Sequence, residues 1–314
     1  MTGASPLLSV ILVNWNGGRV LNRCLGALLQ AADGVPTEII LVDNGSSDGS
    51  LDLVSAFGEK VKAIPLGRNH GFAAGNNAGL RQAKGGLLLL LNTDTEMPRA
   101  TLEAMVAEMK RDSTIGLLGC HHYDQEGRPQ VSYQASFGGP LCRFTEAAPR
   151  PAAGEALEVA WISGACTMAR REVYERVGGL DEDYPLYYED VDWCYRARLA
   201  GWRVCWLGGV GLMHEVGGSS STMTQERKRR LQVWSEAIFY RKHAGAGAWL
   251  FWLLTNLLAS YCGTLVGLLR FLLRPRRRTF KGLRHRWNEA AAFTVAAYRS
   301  CAFPARRGMA VARR

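Results

Sequence analysis

An α/β fold, doubly wound on a mostly parallel sheet, is what this 314-residue sequence predicts. Three observations carry that expectation. Unbroken apolar runs of strand length recur between residues 7 and 91. Helical patterns separate them, and polar residues gather where each run stops. A strand that is apolar throughout is covered on both faces, as helices above and below a parallel sheet provide.

Leu7–Asn14 (LLSVILVN) is the first such run and closes in the turn Trp15-Asn16-Gly17. Val20, Leu21, Leu25, Leu28 and Leu29 then share one face of an amphipathic helix. Thr37–Asp43 (TEIILVD) reads as a second buried strand, followed by turn-rich Asn44–Ser50, and Lys60–Leu66 as a third. A glycine-containing loop leads into a helix over Phe72–Lys84, and Leu87–Leu91 (LLLLL) is a central strand that stops at Asn92-Thr93-Asp94. The second half is less regular. Gly138–Gly154 reads as loop, Val159–Ala169 as a strand with a small-residue break, and Arg171–Val177 and Val191–Ala200 as helices. Trp202–Leu207 is the last strand expected, leading through a glycine-rich loop to His214, and Thr222–His243 is a charged helix. Ligands of doubly wound sheets collect at the carboxyl ends of the strands. Those ends carry Asn14 and Asn16, Asp43 and Asn44, and Asn92 and Asp94, which predicts a nucleotide-type site.

The net charge of +10 is unevenly spread. Residues 274–314 hold 12 Lys and Arg against the single acid Glu289, which leaves the preceding 273 residues at −1. A nearly neutral body with a basic tail beside apolar sequence points to anionic lipid headgroups, not to nucleic acid. The eight cysteines show no CxxC pair or regular spacing, which argues against a zinc site or disulfide framework. Strand-like sequence begins at Leu7 without a charged and then apolar leader, so the body is expected in the cytoplasm.

Five features could carry chemistry, and each has an ordinary structural explanation beside it. Asp43-Asn44-Gly45-Ser46-Ser47-Asp48-Gly49 puts a carboxylate at a strand end, able to accept a base N–H; a plain strand-to-helix turn with a polar cap would look the same. Asn69–Gly79 (NHGFAAGNNAG) is small enough for close approach by a ligand, or for tight packing of a helix on the sheet. Asn92-Thr93-Asp94 offers oxygen ligands for Mg²⁺ or Mn²⁺ on a diphosphate, although any buried strand must end in something polar. Glu189, Asp190 and Asp192 crowd three carboxylates into four positions. On a helix Glu189, Asp192 and Arg196 share a face, which leaves Asp190 for general-base work; acids at a helix start also favour the dipole. His214 is a metal-ligand candidate or a solvated loop histidine.

In order and spacing, VILVNWNG (10–17), VDNGSSDGS (42–50), NHGFAAGNNAG (69–79), LLLLNTDTEMP (88–98), WISGACTMARREVYERVGGLDE (161–182) and YYEDVDWCYRARLAGW (187–202) resemble glycosyltransferase family 2, above all its rhamnosyltransferase-like members. The likeness spans about residues 7–220 and implies a GT-A, Rossmann-like fold. It implies that Asp43 reads the nucleobase, with Asn14 and Asn16 lining that pocket and Asn44 beside them. Arg68, Gly71, Asn76 and Asn77 fall where the family contacts nucleotide and donor. Asn92-Thr93-Asp94 stands at the DxD position, with Asp94 as metal ligand and Asn92 a neutral substitute for the first acid. His214 matches a later metal ligand, and Asp190, beside Glu189, the catalytic base. The implied donor is a nucleotide sugar, dTDP-rhamnose before a UDP-sugar, and the implied acceptor a glycan or lipid-linked sugar. Trp161, Ser163-Gly164-Ala165, Tyr187 and Tyr188 are expected to shape the acceptor side, with a core role equally open to Trp161.

Ala244–Leu269 carries no charged side chain and as a helix would extend ~39 Å, enough to span a bilayer. Asn256, Ser260, Gly263, Thr264, Gly267 and Arg270 nevertheless form a small, polar stripe, and basic clusters flank both ends. Exporting one cluster would oppose the positive-inside tendency, so an interfacial or re-entrant helix at the cytoplasmic face is favoured over a single pass, with a helix buried against another subunit as the ordinary alternative. The chain divides into a catalytic domain (1–221), a linking helix (222–243) and an apolar helix with basic tail (244–314). Two other classes are weighed. A sugar nucleotidyltransferase should carry a glycine-rich basic loop after the first strand, where this chain has WNGGRV. A membrane-bound binding protein without transferase activity has no use for Glu189-Asp190.

Overall fold

The computed structural model describes residues 6–136, 152–215 and 223–273, with residues 291, 294 and 295. Contacts divide the chain into two compact units: one runs to residue 137 and includes 144–182 and 189–222, the other holds 138–143, 183–188 and 223 onward.

The first unit begins β1 (Leu8–Asn14), α1 (Gly18–Ala31), β2 (Thr37–Asp43), α2 (Ser50–Ser55), β3 (Val61–Pro65), α3 (Phe72–Gln82) and β4 (Leu87–Leu91). It continues through β5 (Thr95–Glu96), α4 (Arg99–Arg111), β6 (Ile115–Tyr123), β7 (Pro129–Gln130), β8 (Tyr133–Gln134), β9 (Ala156–Glu158), β10 (Trp161–Ile162) and β11 (Cys166–Arg170). α5 (Arg171–Val177), α6 (Glu189–Leu199) and β12 (Arg203–His214) complete it. The main sheet runs β3-β2-β1-β4-β11-β6-β12-β5, with β7 beside β6 and β9 beside β12. Each of the first four strands alternates between two cores. Val10 and Leu12 pack with Leu21, Leu25 and Leu28 of α1 and Met105 of α4, whereas Ile11 packs with Leu80 of α3 and Trp193 of α6. That two-sided cover is why the strand runs read as continuously apolar.

Two expectations are corrected in the second half. Val159–Ala169 is not one strand: β10 pairs with β8, and β11 inserts antiparallel between β4 and β6, with Ser163-Gly164-Ala165 turning between them. Nor does the last strand stop at Leu207. β12 continues to His214 through a register shift between Trp206 and Gly211, eased by Gly209 at φ 80°. His214 therefore ends a strand instead of sitting in a loop.

In the second unit, α7 (Gln225–His243) and α8 (Gly245–Leu273) form a helical hairpin. Trp249, Trp252 and Leu253 pack on Val233 and Ala237, and Trp252 Nε1 donates to Glu236 Oε1 at 3.1 Å. Leu250, Leu254, Leu258, Leu265 and Leu269 lie exposed along the same helix. Gly245–Val266 is long and apolar enough to cross a membrane. Most of the basic tail beyond residue 273 lies outside the described residues, as does most of the 138–154 loop.

Candidate active site

Because β1 and β2 run parallel in register, Asn14 and Asp43 finish their strands side by side, both buried. Asn14 Nδ2 donates to Asp43 Oδ1 at 3.1 Å and to Ser46 Oγ at 2.9 Å. The Ser46 N–H donates to Asp43 Oδ2 at 3.0 Å. Asn16, exposed and at φ 54°, accepts the Ser47 N–H at 2.8 Å and gives its own N–H to Ser46 Oγ at 2.9 Å. The loops after β1 and β2 are thereby tied together. Glycine is required at position 45, where φ is +79° and a Cβ would stand 2.5 Å from Arg68 Cα. Asp43 ends up a carboxylate held by two donors with lone pairs to spare.

Asn44 fastens the next loop. Its amide donates to Asn69 Oδ1 at 3.2 Å and to the Gly71 carbonyl at 3.1 Å, and accepts the His70 N–H at 2.8 Å. Gly71 sits at φ 94°, ψ 169°, which only glycine adopts readily, and Arg68 is exposed at this rim. Asn44, Arg68 and Gly71 thus join Asp43 at one end of the sheet. Asn76 and Asn77 lie on α3, where their side chains bond within the chain. Asn76 Nδ2 donates to the Phe72 carbonyl one turn back at 2.9 Å. Asn77 donates to the Leu180 carbonyl and to Glu182 Oε1, each at 2.8 Å, and accepts the Leu180 N–H at 2.9 Å. Between and beside them Gly75 and Gly79 let α3 lie directly on Val13 and Ile11. Packing on the sheet explains the small residues of this helix.

At the end of β4, the Asn92 N–H donates to the Ala165 carbonyl at 2.9 Å, and the Asn92 carbonyl accepts Thr95 Oγ1 at 2.7 Å. Asn92, Thr93 and Asp94 are half-buried. The decisive pairing follows at once: β5 runs antiparallel to the end of β12, with Thr95 opposite His214. It brings Asp94 Oδ1 to 3.4 Å from His214 Nε2, their side chains only 14% and 16% exposed. His122 packs edge-on to His214 at 5.5 Å. Burial, with the nearby His214 and His121, pushes His122 down to about 3, so it is a neutral floor beneath the pair.

Asp190 occupies the first turn of α6. Its Oδ2 accepts the Gly164 N–H at 2.9 Å and its Oδ1 the Val191 N–H at 2.8 Å. Burial raises its pKa, opposed by those two N–H groups and by the Trp161 side chain. Gly164 is therefore a backbone support for Asp190, and a Cβ there would press on the Asp190 side chain at 3.2 Å. Glu189 is buried and pushed up to about 8, by burial first and then by the charges of Asp190 and Asp192. Asp192 turns away and pairs with Arg196 Nε at 2.6 Å, while Arg196 also caps the Val177 and Gly179 carbonyls. The structural ion pair and the outlying Asp190 divide as helix geometry requires. Tyr187 and Tyr188, at φ 66° and 71°, turn the chain sharply into this helix.

A short path joins the two carboxylates. Asp190 is bound to the Gly164 N–H, and the next carbonyl, of Ala165, is bound to the Asn92 N–H, two residues before Asp94. Asp94, paired with His214, and Asp190 are thus linked through the Ser163-Gly164-Ala165 turn beside the end of β4. Among the described residues no group of three or more His, Cys, Asp or Glu side chains gathers for a metal. The Asp94–His214 pair nonetheless fits a divalent cation: one carboxylate and one imidazole, with oxygens from a diphosphate, form a mixed donor set better matched to Mn²⁺ than to oxygen-preferring Mg²⁺. Sequence reasoning missed Gln130 and His122, which lie next to each other across β6 and β7 and flank His214.

These features define the class of an α/β protein with carboxylates gathered at the carboxyl ends of its central strands. Residues 9–178 match the model of Glycosyl transferase family 2, and the chain belongs to that family and is a glycosyltransferase. It is 29% identical over 241 residues to an N-acetylglucosaminyl-diphospho-decaprenol L-rhamnosyltransferase of Mycobacterium tuberculosis, covering 69% of this chain and 78% of that one. It is 29% identical over 197 residues to the low-salt glycan biosynthesis hexosyltransferase Agl10 of Haloferax volcanii, covering 61% of each. Among solved structures, a Pyrobaculum calidifontis mannosyltransferase in complex with GDP-Man and Mn²⁺ shares the fold with a TM-score of 0.59 at 17% identity, over 95% of this chain and 88% of that one. S. aureus TarS in complex with UDP-GlcNAc gives 0.55 at 17% identity, over 92% and 81%.

Proposed function

We propose that this glycosyltransferase inverts the anomeric centre as it moves rhamnose from dTDP-rhamnose onto a hydroxyl of a lipid-linked glycan, at the cytoplasmic face of a membrane. One observation carries the reading: Asp190 is held by the Gly164 N–H on a turn whose next carbonyl binds the strand end that bears Asp94. The rhamnosyl donor and lipid-linked acceptor are supported by the mycobacterial relative.

In this mechanism Asp43 accepts the N–H of the base, and the neighbouring Asn14, Asn16 and Asn44 keep its turn rigid. Arg68 and the Gly71 backbone lie toward the diphosphate. Asp94 and His214 would hold the divalent cation, with the Asn92 and Thr93 oxygens beside them; when bound, the cation offsets charge on the departing diphosphate. Asp190 takes the proton of the acceptor hydroxyl as the hydroxyl attacks the face opposite the leaving group, so one displacement inverts the centre. Its raised pKa makes it a stronger base than an exposed aspartate. Glu189, pushed up to about 8, keeps its proton near neutrality and leaves Asp190 as the ionised member of the pair. The exposed leucines of α8 and the basic sequence beyond it favour an anionic membrane surface as partner.

Thermal stabilisation by a panel of sugar nucleotides, with and without Mn²⁺, tests donor and metal together. The expected result is stabilisation by dTDP-rhamnose that needs the metal, followed by transfer to a prenyl-diphospho-GlcNAc acceptor. A preference for UDP-sugars would overturn the rhamnose assignment, and metal-independent stabilisation would overturn the cation site.

A further inference from the structure

Gln130 is a two-residue strand's last side chain, and no motif marks it. It nevertheless clasps His214 twice: Nε2 donates to the His214 carbonyl at 2.8 Å, and Oε1 faces His214 Nδ1 at 2.9 Å. The two contacts fix each other. A carbonyl only accepts, so the amide nitrogen of Gln130 must point at it, and the amide oxygen is left facing the ring. An oxygen can only accept there, so Nδ1 carries the proton. The lone pair of a neutral ring then resides on Nε2, the atom 3.4 Å from Asp94 Oδ1.

We infer that Gln130 is a positioning residue that sets the tautomer and orientation of His214, so that Nε2 and Asp94 together present a preformed seat for a divalent cation. This rests on the reading of Asp94 and His214 as the metal pair, and goes beyond it by assigning the group that prepares them. Such outer hydrogen bonds to a ligating imidazole are worth about 10–100-fold in metal affinity.

The test uses the full chain and Mn²⁺ alone, with free Mn²⁺ followed by electron paramagnetic resonance. Gln130→Met, which keeps the volume and removes both hydrogen bonds, is expected to weaken Mn²⁺ binding about 10-fold or more. Long-range ¹H–¹⁵N spectra of the metal-free protein supply a readout that packing alone would not move. The wild type should show the Nδ1–H form of His214, Gln130→Met a mixture with the Nε2–H form, and Gln130→Glu, which retains an acceptor, the Nδ1–H form again. If His214→Ala binds Mn²⁺ as the wild type does, the metal reading itself fails. If His214→Ala weakens binding but Gln130→Met leaves both affinity and tautomer unchanged, the metal pair stands and the role of Gln130 is overturned.

Discussion

The turn after β2 and the start of α6 both present an aspartate, and the two are built differently. Asp43 is buried among neutral donors, fixed by Asn14 and the Ser46 N–H, and its loop is locked by Gly45 against Arg68. Asp190 also accepts two N–H groups, but a buried carboxyl stands beside it and burial raises its affinity for a proton. On the proposed reading, the contrast teaches that an aspartate held by neutral donors can serve recognition, and one whose charge burial makes costly can serve proton transfer. The proposal assigns binding to one end of the site and reaction to the other.

The most damaging way to break that contrast is Asp190→Asn. Loss of a general base should lower kcat by about 10²–10⁴-fold with the donor KM little changed, as steady-state kinetics would report. A second test concerns the proposed membrane partner, which belongs to neither end. Replacing exposed Leu254 and Leu258 together by Asp should cut sedimentation with anionic vesicles by about 10-fold or more, leaving turnover on a soluble acceptor intact. Gly45→Ala strikes the binding end through the backbone, since its φ of +79° and the 2.5 Å approach to Arg68 leave a methyl no room. Urea denaturation should show about 2–3 kcal/mol less stability. The smallest effect sharpens the reactive end. Glu189 rises from the ordinary 4.5 to about 8, so between those values the native state holds more protons than the unfolded one and stability falls as pH rises. Glu189→Gln should flatten that fall, by up to about 1.4 kcal/mol per pH unit in denaturation curves taken from pH 5 to 8.

Most of the first sheet was legible because β1, β2 and β4 are covered on both faces and so are written as unbroken apolar runs. The helix around Asn76 and Asn77 was not, since small residues and amides suit a ligand and a close-packed sheet equally; here Val13, Ile11 and the Leu180 backbone take them up. β12 was cut short at Leu207 because glycines usually end a strand, whereas here they accommodate a register shift and carry it on to His214. The carboxylates at 94 and 190 could be picked out by their place after strand or turn sequence. Their setting could not. Asp94 meets His214 through a two-residue strand pairing, and Asp190 meets Gly164 through an antiparallel insertion, neither of which leaves a periodic trace. Gln130 was invisible for the same reason.

The division between a binding end and a reacting end is tested most directly by titrating dTDP with Mn²⁺ into two variants in a calorimeter. Asp43→Ala should weaken the complex by about 10-fold or more through loss of a charged hydrogen-bond acceptor, and Asp190→Asn should change it by less than about twofold. Comparable losses in both variants, or a loss confined to Asp190→Asn, would contradict the account.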